Sequence, residues 1–319
     1  MTGSVPARSA SSSPDGTPTP HVAPQRRVER GALWAFLPAL AMLPFTVAVL
    51  ALVWLPLGLV ADVPFSWVLL SYAATGLLMF LRPFQVAVLT PTLGARAPTS
   101  AEAATIAPLW EQVSEATDEQ RMVGRSRYVV RILPSDELNA FACGGHLVVV
   151  TTYAVEELTT DELRGVLAHE VSHHLGLHTV ATTIVHWLSG PVVLFARIGF
   201  HLERVAQASA ASFGRRNAAV DVASRIGAIL MRAVGSVFSL GIRAADGLAN
   251  LVGHDMEFEA DRRAVSMGFG RELAAALRRV LAAGEPHRRS GWRARLAASH
   301  PPARTRVARI EALLRHPAR

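Results

Sequence analysis

From Gly31 to Ala61 the chain carries no charged residue for 31 positions, and after Asp62 a further 19 uncharged positions run from Val63 to Leu81. A helical crossing of a bilayer core needs about 20 apolar residues. Two such runs divided by one acid and Pro64 predict a transmembrane hairpin over residues 31–82, turning around Asp62, Val63 and Pro64. Trp34, Trp54 and Trp67 lie near the run ends, where amphipathic rings prefer the interface. Pro38, Pro44 and Pro56 predict kinks in the first limb, which a bilayer tolerates when neighbours satisfy the freed carbonyls. A cleaved signal peptide fits poorly. The run begins about 30 residues in and is longer than an apolar signal core of roughly 7–15 residues.

Charge placement orients the hairpin. Arg26, Arg27 and Arg30 precede it, Arg82 and Arg96 follow it, and its turn holds no arginine. Both ends are therefore expected on the cytoplasmic side of a bacterial cytoplasmic membrane. Half the chain is hydrophobic and only 18% is charged, which excludes a wholly disordered protein or a coiled coil. All 32 basic residues are arginine. Such one-sided usage is weak grounds for nucleic-acid binding, and none is expected. The Arg-rich 270–315 stretch reads as a solvated helical face near anionic lipid. Residues 1–30, rich in Pro, Ser and Thr, predict a disordered tail. The single cysteine, Cys143, allows no intramolecular disulfide and suits a reducing compartment. It reads as a packed residue rather than a nucleophile.

After the hairpin the character changes. Thr99–Thr117 predicts a helix, Arg127–Leu133 and His146–Thr152 predict strands, and Cys143, Gly144 and Gly145 predict the turn before the second strand. Thr160 is expected to cap a helix that begins with Asp161 and Glu162 and runs on through LRGVLAHEVSHHLG. Within it, His169, Glu170 and His173 form H-E-x-x-H. Histidines four apart share a helical face, so both rings reach one metal ion, and Glu170 is placed to take a proton from its water. A catalytic zinc site wants a third protein ligand and one open position. The metzincin spacing finds Gly176 but meets Thr179, with His178 one residue early. The other candidate is Glu257 in HDMEFEAD, with Asp261 one turn on to support a ligand histidine. His186, His201 and His287 read as structural or exposed.

At these residues the sequence resembles the membrane-integrated gluzincin metallopeptidases, the HtpX-like and CAAX prenyl protease-like family, over roughly residues 99–315. Asn139-Ala140-Phe141-Ala142 followed by Gly145 and VVVTT is similar to the family's strand pair. LAHEVSHHLGLH is similar to its zinc helix, with Ser172 where a glycine is common. EFEAD matches its E-x-x-A-D, and SHPPARTRVARIEAL resembles its S-H-P segment followed by Arg-Ile-x-x-Leu. The resemblance implies one zinc ion per chain on His169, His173 and Glu257, with Glu170 as general base and His300 stabilising an oxyanion. Asp261 would steady a ligand imidazole. A polypeptide substrate, a membrane or misfolded protein, would lie along the edge strand at Asn139, Ala140, Phe141 and Ala142.

The expected fold is predominantly α with a small β-sheet. It comprises the hairpin, a zincin-like catalytic domain over 83–178 and 250–315, and an inserted apolar helical pair over 179–249. For that pair the charges cut both ways. Thr179–Ala196 is an uncharged run, but Arg225, Arg232 and Arg243 interrupt Val222–Ile242. A full crossing would put Arg204, Arg215 and Arg216 outside, against the positive-inside rule. Crossing and lying in the interface both stay open. A signalling protease of antibiotic-sensor type would want a large extracellular domain, and none fits. A silent metal-stabilised scaffold would not need Glu170.

Overall fold

A computed structural model of the chain describes residues 34–117, 128–176, 178–213, 218–283 and 302–316. The first apolar run forms helix α1 (Leu37–Ala61), and Asp62, at φ 45°, turns the chain in the left-handed region. Pro38 sits in the opening turn of α1, where its missing N–H costs nothing, so it makes no kink. The helix remains continuous through Pro44 and Pro56. Trp54 donates its indole N–H to the Val63 carbonyl at 2.5 Å and closes the hairpin turn.

The second limb is shorter than its uncharged run. Helix α2 (Phe65–Leu78) has 14 residues, and the chain then bends by 81° into a helical segment, Arg82–Thr92. Pro83 stands in the first turn of that segment, where proline suits a helix start but not a helix interior. Five of its residues, Gln85–Leu89, form a π-helical turn. Gln85 is fully buried there, beneath Gly144. Gly144 has φ +72°, and a Cβ on it would lie 2.5 Å from the Gln85 carboxamide carbon.

Helix α3 (Ser100–Glu115) starts at a capping box. The Thr99 hydroxyl accepts from the Glu102 amide at 3.3 Å, and the Glu102 carboxylate accepts from the Thr99 amide at 2.6 Å. Arg96 adds two bonds of 2.7 Å to the same carboxylate. Three strands follow: β1 (Val129–Leu133), β2 (Ala140–Cys143) and β3 (Leu147–Thr151), in the order β1-β3-β2. The β1–β3 pairing is parallel and the β2–β3 pairing antiparallel, ending at Cys143 opposite Leu147. Cys143 thus closes β2, and the turn lies beyond it. Every residue of β3 is buried, which explains its unbroken apolar run.

After α4 (Thr152–Glu157) comes α5 (Thr160–Leu175), the helix that carries H-E-x-x-H. Its cap is Thr159, not Thr160. Glu162 completes a capping box from the third helical position, and that geometry requires the hydroxyl three residues before it. Gly165 lets the start of helix α8 (Gly270–Ala283) approach closely: a Cβ there would come 2.3 Å from the Leu273 amide nitrogen. The main core lies between α3, the sheet, α5, α8 and a last helix α9 (Ala303–Arg315). Leu109, Ile132, Val148, Leu167, Leu273 and Ile310 are among its buried residues.

The inserted pair forms two long helices, α6 (His178–Phe213) and α7 (Ala218–Ser266). They pack along each other and along α1 around Met42, Val49, Leu188, Val192, Ala196 and Phe238. Stretches of α1, α6 and α7 are each long and apolar enough to cross a membrane, with mean hydropathies of 2.3, 1.5 and 1.4. The bent segment that includes α2 makes a fourth if counted as one span. The fold is therefore helical with one small sheet and is built for a bilayer. EFEAD belongs to α7 itself, so a single helix of 49 residues runs from the apolar bundle to Glu257 beside α5.

Candidate metal centre

Helix α5 presents His169 and His173 one turn apart, and α7 crosses it to present Glu257. The His169 and His173 Nε2 atoms are 3.2 Å apart. The Glu257 oxygens lie 3.3 Å from His169 Nε2 and 3.2 Å from His173 Nε2. A tetrahedral ion with bonds of about 2.0–2.1 Å holds its ligand atoms about 3.3–3.4 Å apart. The ring nitrogens match that spacing, and the Glu257 carboxylate meets it through one oxygen toward each ring. Two imidazoles and a carboxylate are also the donor set of catalytic zinc hydrolases. Among the described residues this is the group of three or more His, Cys, Asp or Glu side chains close enough to share an ion.

The supports of the two histidines differ. His169 Nδ1 lies 3.0 Å from an Asp261 oxygen, so the carboxylate one turn beyond Glu257 fixes that ring. His173 Nδ1 lies 3.3 Å from Nδ1 of His178, the first residue of α6, so a His173 ring that binds metal through Nε2 donates its Nδ1–H to the His178 ring. His178 is thus outside the triad but touches it. His174 points the other way: it bonds the Leu147 carbonyl at 3.0 Å and stacks on Tyr128, tying α5 to β3. Ser172, which stands where a glycine is common, is buried and returns its hydroxyl to the Ala168 carbonyl at 2.8 Å.

One residue at the centre was not singled out from the sequence. Arg306 on α9 is buried, bonding Asp261 through Nε at 2.9 Å and Nη2 at 2.7 Å. Its Nη1 lies 3.1 Å from Glu257. Burial would lower a guanidinium's pKa, but the Glu257 and Asp261 charges hold this one above its ordinary value. Burial and Arg306 likewise oppose a proton on His169. Asp261 and Glu257 outweigh them and raise the ring to about 9, so an arriving metal must displace a proton. The signal for Arg306 was its place on the inward stripe of α9, between Ala303 and Ile310. The Arg-Ile pair quoted from the motif begins at Arg309, which instead lies over the Phe258 ring at 3.8 Å.

Glu170 is buried next to His169. It is near Cys143, whose thiol is pushed up to about 12, by burial first and by the Glu170 charge second. A thiol at that value is no nucleophile at neutral pH. Asn139 is tied to Thr151 through its amide and carbonyl. Ala140, Phe141 and Ala142 follow on β2, an edge strand with β3 on one side. His300 and His287 lie outside the described residues, as do Arg288, Arg289, Arg293 and Arg295. The described arginines of that stretch include Arg278, paired with Glu311, and Arg279, paired with Glu162.

This donor set, carried on α5 of the main core and on the α7 helix that continues out of the apolar bundle, is that of a membrane-integrated metallopeptidase type of fold. A family model described as peptidase family M48 matches residues 104–314, and the chain belongs to that family. It is 28% identical over 237 residues to "Protease HtpX" of Mannheimia succiniciproducens, covering 66% of this chain and 79% of that one. It is 33% identical over 204 residues to "Protease HtpX" of Nitrosococcus oceani, covering 60% and 67%. Among solved structures it is similar to Ste24p of S. mikatae, at 17% identity and a TM-score of 0.47. The match covers 82% of this chain and spans 61% of that one.

Proposed function

We propose that this chain is a zinc-dependent endopeptidase embedded in the bacterial cytoplasmic membrane, hydrolysing membrane or misfolded proteins at the cytoplasmic face. The observation that carries it is the His169–His173–Glu257 triad, with donor separations of 3.2–3.3 Å suited to one ion. A bound zinc supplies Lewis acidity, which brings the pKa of water toward about 7. The chain's own residues do the rest. Glu170 takes the proton from water and passes it to the leaving amine. Asp261 and His178 hold the ligand rings, and Arg306 holds Asp261. The free edge of β2, Asn139 to Ala142, takes an extended substrate by backbone pairing. His300 serves the oxyanion. Residues 179–249 cross the membrane as an antiparallel pair beside α1.

Glu170→Gln tests the chemistry. The expected result is a loss of casein hydrolysis by about 10²–10⁴-fold with zinc still near one per chain. Retained activity would remove Glu170 from the mechanism.

A further inference from the structure

We propose that α6 carries a binding site for the phosphodiester headgroup of an anionic phospholipid, formed by Arg197, His201 and Arg204. The inference rests on the spanning reading of α6. Arg197, His201 and Arg204 are spaced i, i+4 and i+7, which places them on one helical face. All three are exposed, and none has an ion-pair partner among the described residues. Together with Ile198 and Phe200 they line a shallow groove. Leu194, Ile198, Phe200, Leu202 and Val205 around them are exposed as well, so the cations stand in a lipid-facing apolar surface. The acid of this segment is turned away. Glu203 is buried against α7, where it takes Arg232 at 2.6 Å, and it accepts from Gln207 on its own helix at 2.9 Å.

The height of the groove follows from cross-helix contacts. Near the catalytic domain, the Gly144 amide donates to the Thr183 hydroxyl at 3.1 Å, and Gln85 packs against Gly144. Four residues further along α6, Trp187 stacks on Tyr72 and bonds Thr75. Residues 72–75 precede Gln85 along the descending limb, so α6 climbs from the catalytic domain toward the α1–α2 turn. Thr46 on α1 bonds the Leu188 carbonyl at 2.8 Å. From that rung, Ala61 lies about 22 Å up α1 and Arg204 about 24 Å up α6, at 1.5 Å per residue. Arg204 is thus level with the Asp62 turn, and Arg197 lies about two turns below, within snorkelling reach of the headgroups. Two guanidinium forks at an interface match a phosphodiester in charge and geometry. This occupant also accounts for arginines on the side of the membrane where the positive-inside rule disfavours them.

The test uses the full-length protein reconstituted in phosphatidylcholine vesicles with and without phosphatidylglycerol, followed by mild extraction and native mass spectrometry. Wild type is expected to retain phosphatidylglycerol over phosphatidylcholine. Arg197→Gln/Arg204→Gln is expected to lose that retention by about tenfold or more. Arg315→Gln, on α9, should match wild type, and casein hydrolysis by the double variant should be unchanged, showing a folded protein. Equal retention by the double variant, or no lipid preference in wild type, would each overturn the site. Ser212→Cys separates the topology: labelling from the outside supports the far-leaflet position. Labelling only from the catalytic side would overturn the spanning reading and that position, even with lipid retention intact.

Discussion

The two halves of this molecule hold polar groups inside by different means. Around the metal cluster, charge is concentrated: His169, Glu257, Asp261 and Arg306 are all buried and all in mutual contact. In the helical bundle of α1, α2, α6 and α7, polar groups are scattered and met in small local sets. Thr46 bonds Leu188, Tyr72 bonds Trp187, and Glu203 pairs with Arg232. A network can carry a net ligand charge into a dry site, but each member depends on the rest. The isolated pairs satisfy a backbone or a single charge and should fail independently.

Arg306→Met breaks the comparison at its strongest point. It strands the Asp261 and Glu257 carboxylates, and unpairing a buried charge costs about 3–5 kcal/mol. The loss should be largest in metal-free protein and smaller with zinc bound, because the ion takes over Glu257. Thermal unfolding with and without chelator reads the difference, and equal losses would remove Arg306 from the metal's network. In the bundle, Tyr72→Phe deletes a bond of 2.6 Å to the Trp187 carbonyl. A cost of about 0.6–1.7 kcal/mol is expected, the range of interhelical bonds in membranes, with zinc affinity unchanged. A change in zinc affinity would show that the halves are coupled.

The smallest effect is a pH dependence at the edge of the catalytic half. The bond from Arg96, followed by those from Thr99, lowers the Glu102 carboxyl to about 2, against the opposing effect of burial. Its folded pKa lies below the usual carboxylate value. Its contribution is therefore full above about 4.5 and is lost as the pH falls through about 2. Glu102→Gln should flatten that limb of the acid unfolding curve. An unchanged curve would assign the limb to other carboxylates.

The parts legible in the sequence were those with local periodicity. The uncharged first run gave α1, and the i, i+4 histidines gave the paired donors on α5. EFEAD, known by resemblance, supplied the third donor, 84 positions beyond His173. What stayed hidden depends on contacts across the chain. Arg306 was one arginine among many until α9 packed its inward stripe against Asp261, 45 residues away. The support from His178 depended on α5 ending at Leu175 and α6 starting at His178, which set that ring beside His173. The short second limb was masked because the bend after Leu78 falls inside an unbroken apolar run, and Pro83, in the first turn of the next segment, stands just past that run. For the inserted pair, the charges at Arg225 and Arg232 argued against burial in a bilayer, yet they are answered by Asp221 and Glu203.

Helix α7 has no joint between its apolar portion and Glu257. Its phase is therefore set along the whole rod. Adding one residue between Gly247 and Met256 would turn the donor about 100° around the helix axis and lift it about 1.5 Å. Adding seven would nearly restore its bearing while displacing it about 10.5 Å along the helix axis. The ligand is threaded like a tooth on a shaft: the bundle keeps the angle at which its third donor meets the other two.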